Sequence, residues 1–154
     1  MKSIRIVSLL ILFAALALPA TATSFSVPFS INPNTRTVQI ACETESQPGK
    51  ILRCTIDTGA QRSAGGAGAV SKASRRGAPV MVMLTPTGSQ TVYETKQVLI
   101  VGGVKIPISF EVIANIERLD ADILIGEDFL QQFSCVTFDY KNQIVTFETE
   151  RLSK

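Results

Sequence analysis

Apolar residues recur at every second position through much of this chain, and that period admits few folds. Phe25, Val27, Phe29 and Ile31 form one such set, Val38, Ile40 and Cys42 a second, Leu52, Cys54 and Ile56 a third. Val104, Ile106, Ile108, Phe110 and Val112 form a fourth. A period of two puts every member of a set on one face of a pleated strand, so each segment reads as a half-buried strand. "VMVML" and "QVLIV" are continuous apolar runs and predict strands covered on both faces. Turn chemistry separates these segments: "NPN" at 32–34, "SQPGK" at 46–50, "TPTGSQ" at 85–90, Gly102-Gly103, and "DYKNQ" at 139–143. Pro28 and Pro107, inside strand patterns, place those strands at an edge or a bulge. Only "AGAVSKASRR" and "GEDFLQQF" invite a helix, the second for about two turns with acids at its start, where the helix dipole favours them. The pattern predicts an all-β chain: a small closed barrel or sandwich of short antiparallel strands, with one short helix near the C-terminus.

The first residues fall outside that pattern. A basic opening with Lys2 and Arg5, the apolar core "IVSLLILFAALAL" and the small-residue site Ala20-Thr21-Ala22 predict a signal peptide over 1–22. The core is shorter than the roughly 20 residues that span a bilayer, and a retained anchor is the alternative. The chain is therefore expected to be exported, periplasmic or secreted, with no membrane span after cleavage. The whole sequence carries 15 Lys and Arg against 13 acids, and losing Lys2 and Arg5 makes the two equal. A neutral chain of about 130 residues suits one domain and argues against nucleic acid as a partner, which calls for a basic field. Arg62, Lys72, Arg75 and Arg76 form a local basic stretch without interleaved aromatics and read as a solvated loop.

Absences restrict the chemistry. There is no histidine, so neither a Ser-His-Asp nor a Cys-His catalytic set is available, and the commonest zinc ligand is missing. No glycine-rich phosphate-binding motif occurs. No cofactor and no metal are expected. Three cysteines, Cys42, Cys54 and Cys135, are an odd number for an exported chain. If "TVQIACE" and "ILRCTI" are arms of a hairpin turning near Pro48, Cys42 and Cys54 lie nearly opposite, and a disulfide between them leaves Cys135 free. The other reading is three buried thiols packed as small apolar side chains.

Carboxylate chemistry remains, and "ILRCTIDTGA" points to it. An apolar strand ends abruptly on Asp57, followed by Thr58, Gly59 and Ala60. Two carboxyl groups brought face to face cannot both ionise cheaply, so they share a proton. One then acts as base on a water while the other donates to the carbonyl under attack.

"CTIDTGA" followed by "ADILIGEDFL" resembles the retropepsin-like aspartic proteases, in particular their small exported bacterial members. The resemblance covers roughly Thr37 to Glu148. It implies that Asp57 is the catalytic carboxylate, that the Thr58 hydroxyl bonds across a twofold axis to the partner loop, and that Gly59 lets two loops approach. Leu124-Ile125-Gly126 would be the apolar pair and glycine that pack beneath the active loop, with Gly126 close under Asp57. "TPTGSQTVYE" resembles a flap hairpin, with Thr87, Gly88 and Ser89 at its tip. The domain is set at 37–154, preceded by an extension over 23–36. With one Asp-Thr-Gly per chain, an active form must be a homodimer acting on a peptide or protein substrate. The family's loop usually continues with Ser or Thr and a β-branched run, where this chain has Gln61-Arg62-Ser63-Ala64-Gly65-Gly66, which weakens the strand expected there. That departure keeps open a second reading, a non-catalytic binding module of the cell envelope on the same fold. A third, an envelope protein linked through Cys135, predicts a reducible dimer. Asp120 and Asp122 of "RLDAD" precede no Thr-Gly and read as solvated acids.

Overall fold

The computed structural model describes residues 23–70, 79–85, 88–113 and 116–149. Ten strands appear in chain order: β1 (Thr23–Ile31), β2 (Val38–Thr44), β3 (Gln47–Ile56), β4 (Ala64–Gly66), β5 (Pro79–Thr85), β6 (Gly88–Val101), β7 (Val104–Ile113), β8 (Ile123–Ile125), β9 (Cys135–Asp139) and β10 (Ile144–Thr149). Among the described residues one α-helix, α1, spans Glu127–Leu130. Six strands run β6-β7-β4-β8-β3-β2, and Glu43 and Thr44 of β2 pair with Ile100 and Leu99 of β6, closing a barrel. β5 extends the sheet beyond β6, and β1, β10 and β9 extend it beyond β2.

Most members of the alternating sets predicted from sequence face inward, but Phe25, Ile31 and Val38 are only partly buried and Val104, at the start of β7, is exposed. Val27, Phe29, Ile40, Cys42, Leu52, Cys54, Ile56, Ile106, Ile108, Phe110 and Val112 are all buried in one core. Each large side chain fully withdrawn from water contributes roughly 1.5–3 kcal/mol. "QVLIV" departs from the two-faced burial predicted for it: Gln97, Leu99 and Val101 are buried, whereas Val98 and Ile100 face outward and are only partly covered. The burial of "VMVML" in β5 lies outside the described side chains. Pro107 stands opposite Val98 where β7 pairs only with β6, because β4 joins β7 only at Glu111–Ile113. Its missing N–H therefore costs no ladder bond.

Three boundaries differ from the sequence reading. Residues 23–36, set apart there as an extension, supply β1, which pairs with β10 over Thr23–Pro28 and with β2 over Phe29–Ile31, changing partner at Pro28. The β2–β3 hairpin turns at Glu45-Ser46, not at Pro48. The register jumps from Thr44↔Gln47 to Cys42↔Leu52, so Pro48, Gly49 and Lys50 bulge out of β3. Gly49, at φ +78°, takes the left-handed conformation that this requires, and its N–H donates to Glu43 Oε2 at 2.8 Å. The helix predicted over two turns is a single turn. Beyond Leu130 the chain tightens, with Gln132 N–H donating to the Phe129 carbonyl and Phe133 N–H to that of Leu130. A 3-10 turn at Ile116–Leu119 was not foreseen.

Aromatic packing fixes α1 against the sheet. Phe147 of β10 lies 5.0 Å from Phe25 of β1, 4.9 Å from Phe133 and 6.1 Å from Phe129 of α1, ring centre to ring centre. The last pair meets edge to face, the geometry the ring quadrupoles favour. These rings hold the end of β8 and the start of α1 in place, beneath the loop that follows β3.

Candidate active site

β3 carries Cys54, Thr55 and Ile56 as buried residues and delivers Asp57 at its end, half-buried. β8 runs parallel beside it, Ile56 level with Ile125, and the ladder extends one bond further as Asp57 N–H donates to the Ile125 carbonyl at 2.9 Å. The chain then reverses: Ala60 N–H donates to the Asp57 carbonyl at 3.2 Å, and Gly59 N–H to Asp57 Oδ1 at 3.0 Å. That side-chain turn orients the carboxylate with a local bond. Thr58 and Gly59 are exposed at the crest of the loop.

Gly126 supports the loop from below. A Cβ there would lie 2.7 Å from the Arg62 carbonyl carbon and 2.8 Å from the Ala60 oxygen, so the close-packing surface is Ala60–Arg62 rather than Asp57 itself. Glu127 N–H donates to the Ala60 carbonyl at 2.8 Å and Asp128 N–H to that of Gln61 at 3.2 Å. The segment after Ala60, expected to be weakened, does form a strand. β4 is three residues long, buried, parallel to β7 and antiparallel to β8. Gly65 suits it because Phe110 lies where a Cβ would already be in contact, at 3.5 Å.

Two residues at this site escaped the sequence reading. Ser63 is fully buried, with its hydroxyl donating to Asp128 Oδ1 at 2.6 Å and accepting from Gly126 N–H at 3.0 Å. Ser63 N–H and Phe129 N–H donate to the same Asp128 oxygen, each at 2.9 Å. The available signal was an acid at the second position of a short helix, read only as a dipole partner. Arg62 meanwhile reaches Glu94 of β6 at 2.7 Å and Glu111 of β7 at 3.3 Å, tying the loop's continuation to the long hairpin.

Of the other residues singled out in the sequence, Leu124 is half-buried and Ile125 fully buried, both in β8 beside β3. Gly88 and Ser89 open β6 opposite Thr85 and Leu84 of β5, with which it pairs antiparallel. Thr87 lies outside the described residues, as do Lys72, Arg75, Arg76 and the signal segment 1–22. Cys42 and Cys54 are joined by a disulfide with their Cα atoms 6.1 Å apart, and Cys135 is free and exposed. The pair is diagonal rather than opposite, since Cys42 faces Leu52 and Cys54 faces Ile40. Asp120 and Asp122 are not solvated singly: Arg53 pairs with both, and Asn32 donates to Asp120 Oδ2 at 2.8 Å. Partial burial works to raise the Asp122 pKa, but the Arg53 backbone and side-chain hydrogen bonds, with the charges of Arg53 and Lys50, hold it below the ordinary carboxylate value. Among the described residues no cluster of acids and cysteines is arranged to hold a metal ion.

Neither known protein families nor curated proteins give a match to the sequence. Solved structures do. A retropepsin-like aspartic protease from Rickettsia conorii superposes with a TM-score of 0.59 at 13% identity, covering 84% of this chain and 92% of that one. The retroviral protease-like domain of Ddi1 from Leishmania major gives 0.56 at 21% identity, covering 72% of this chain and 87% of that one. This is the retropepsin-like fold. In this chain the Asp57 loop follows β3, Gly126 follows β8, which runs parallel to β3, and β5 and β6 pair as an antiparallel hairpin. Identities this low carry the fold; the chemistry has to be argued from the residues.

Proposed function

We propose that the chain is one half of an aspartic endopeptidase, completed when two copies bring their Asp57 loops together. The observation that carries this reading is the setting of Asp57 in a retropepsin-like fold. Its backbone is locked to Ile125, its carboxylate is held by Gly59 N–H, and the Thr58–Gly59 crest above it is exposed. One chain supplies one such carboxylate, which by itself has no partner for sharing a proton. A twofold pairing of the crests supplies the second. Water held between the two carboxyls is then deprotonated by one while the other donates to the substrate carbonyl. An extended peptide would lie between the loops and the β5–β6 hairpins, with alternate side chains setting preference.

Export through residues 1–22 belongs to the same proposal, and the Cys42–Cys54 disulfide supports it because such bonds persist in oxidising compartments. No helix among the described residues is long and apolar enough to cross a membrane.

The test uses the chain starting at Thr23, a mixed peptide library and sedimentation. Cleavage at mildly acidic pH by a dimer, abolished in a folded Asp57→Asn variant, is the expected result. A strict monomer that cleaves nothing, or full activity in Asp57→Asn, overturns the reading and leaves a binding module on the same fold.

A further inference from the structure

Ser63 and Asp128 have no place in the chemistry described so far, yet Asp128 Oδ1 accepts three hydrogen bonds there, from Ser63 N–H, the Ser63 hydroxyl and Phe129 N–H. Resting on the peptidase reading above, we propose that they form a positioning pair that sets the catalytic angle of Asp57 through a single peptide unit. That unit is Ile125–Gly126. Its carbonyl accepts from Asp57 N–H at 2.9 Å, and its N–H donates to Ser63 Oγ at 3.0 Å. The carbonyl and the N–H are ends of one rigid plane, so whatever holds one end fixes the direction of the other.

Ser63 is held in its turn. Its hydroxyl hydrogen is committed to Asp128 Oδ1 at 2.6 Å, which leaves the oxygen lone pairs facing Gly126. The Ser63 backbone is pinned on both sides, its N–H on Asp128 Oδ1 and its carbonyl on Glu111 N–H at 3.0 Å. Asp128 therefore acts as an acceptor that points the hydroxyl, Ser63 as an acceptor that points the peptide, and the peptide as the anchor of Asp57. Neither side chain touches the reacting atoms. Without the Ser63 oxygen, the Gly126 N–H is left buried without a partner and the plane tilts towards another acceptor, which carries the Asp57 anchor with it. A displacement near 1 Å at a reacting group costs on the order of a hundredfold in rate.

The acceptor role separates this pair from ordinary structural support. An amide oxygen accepts as a carboxylate oxygen does, so Asp128→Asn preserves the chain of bonds while Asp128→Ala breaks it. The experiment measures kcat and KM on a peptide cleaved by the wild-type chain, at several pH values, with melting and sedimentation recorded for every variant. Asp128→Ala is expected to lower kcat by roughly ten- to a hundredfold with KM within about twofold, the pH profile keeping its shape. Asp128→Asn is expected to recover most of that loss. Because the two residues act in series, Ser63→Ala combined with Asp128→Ala should be no worse than the more damaging single change. Should Ser63→Ala fail to fold, the two Asp128 variants decide alone. Equal losses in Asp128→Asn and Asp128→Ala, or an unchanged kcat in folded Asp128→Ala, overturn the pair while wild-type cleavage still upholds the peptidase reading. A wild-type chain without activity removes both.

Discussion

The Cα of Gly126 lies so close beneath the loop carrying Asp57 that a Cβ on it would stand 2.8 Å from the carbonyl oxygen of Ala60. The backbone of Gly126, at φ −95° and ψ −172°, is open to any residue, so space rather than conformation demands glycine here. The Ala60 oxygen has little room to retreat, because Glu127 N–H already holds it at 2.8 Å. Contacts of this kind join β3 and β8 into one support for the carboxylate.

Gly126→Ala is therefore expected to be destabilising by about 1–3 kcal/mol, the usual cost of forcing an atom into packed surroundings. Here the obstructing atoms are backbone, which raises the cost within that range. Chemical denaturation with an unchanged slope and a lower midpoint would show it; a midpoint equal to the parent would contradict the close approach.

Gly59→Ala should behave in the opposite way. A Cβ at Gly59 meets only Asp57 Oδ1, at an ordinary 3.4 Å, so the fold of a single chain has no reason to resist it. Stability should stay within about 0.5 kcal/mol of the parent, as for most surface changes. Under the dimeric peptidase proposal the added methyl stands between two crests that must meet, and cleavage should fall steeply. A stable, dimeric and fully active Gly59→Ala protein would show that the crests do not approach one another.

The inward faces of the strands were legible because a period of two needs no knowledge of partners, and the Asp-Thr-Gly loop and the later Leu-Ile-Gly were legible as short motifs. Their proximity was not. β3 and β8 lie side by side in parallel although nearly seventy residues separate them in sequence, a relation that no local pattern encodes. The hairpin turn was misplaced because "SQPGK" carries turn chemistry for a bulge as well as for the reversal, and the register that results sets Cys42 opposite Leu52, two residues from Cys54. Ser63 lies in the segment that departs from the family's pattern, and only the fold shows that its hydroxyl is buried against Gly126 and Asp128.

The Cys42–Cys54 disulfide closes a loop of 12 positions across the β2–β3 hairpin, both cysteines being buried. Loop-closure entropy for that length predicts a stabilisation of about 3 kcal/mol. Replacing both cysteines by alanine should lower the unfolding free energy by an amount of that order, while kcat per folded molecule changes little, since the bond lies below Asp57 on the strand. A double variant as stable as the parent would remove the bond from the account of the fold.

Asp122 gives the fold a dependence on acid. Its pKa is lowered in the native state although burial pushes the other way, because the Arg53 N–H at 2.9 Å, the Arg53 Nε at 3.2 Å and the neighbouring positive charges favour the ionised form. A carboxylate with a depressed native pKa adds stability above its unfolded value of about 3.9, and that stability is lost as pH falls through the lower native value. The melting temperature should accordingly drop as pH is taken from roughly 5 to below about 3.5. Asp122→Asn should melt lower than the parent at neutral pH and show a shallower acid slope. Part of the slope should persist in that variant, since Asp139 is lowered too, by the Asn142 backbone and side-chain hydrogen bonds and by Lys141 N–H. Activity that changes with pH while the melting temperature does not would report the chemistry and not the fold. An acid slope identical in the parent and in Asp122→Asn would show that Arg53 does not hold this carboxylate in solution.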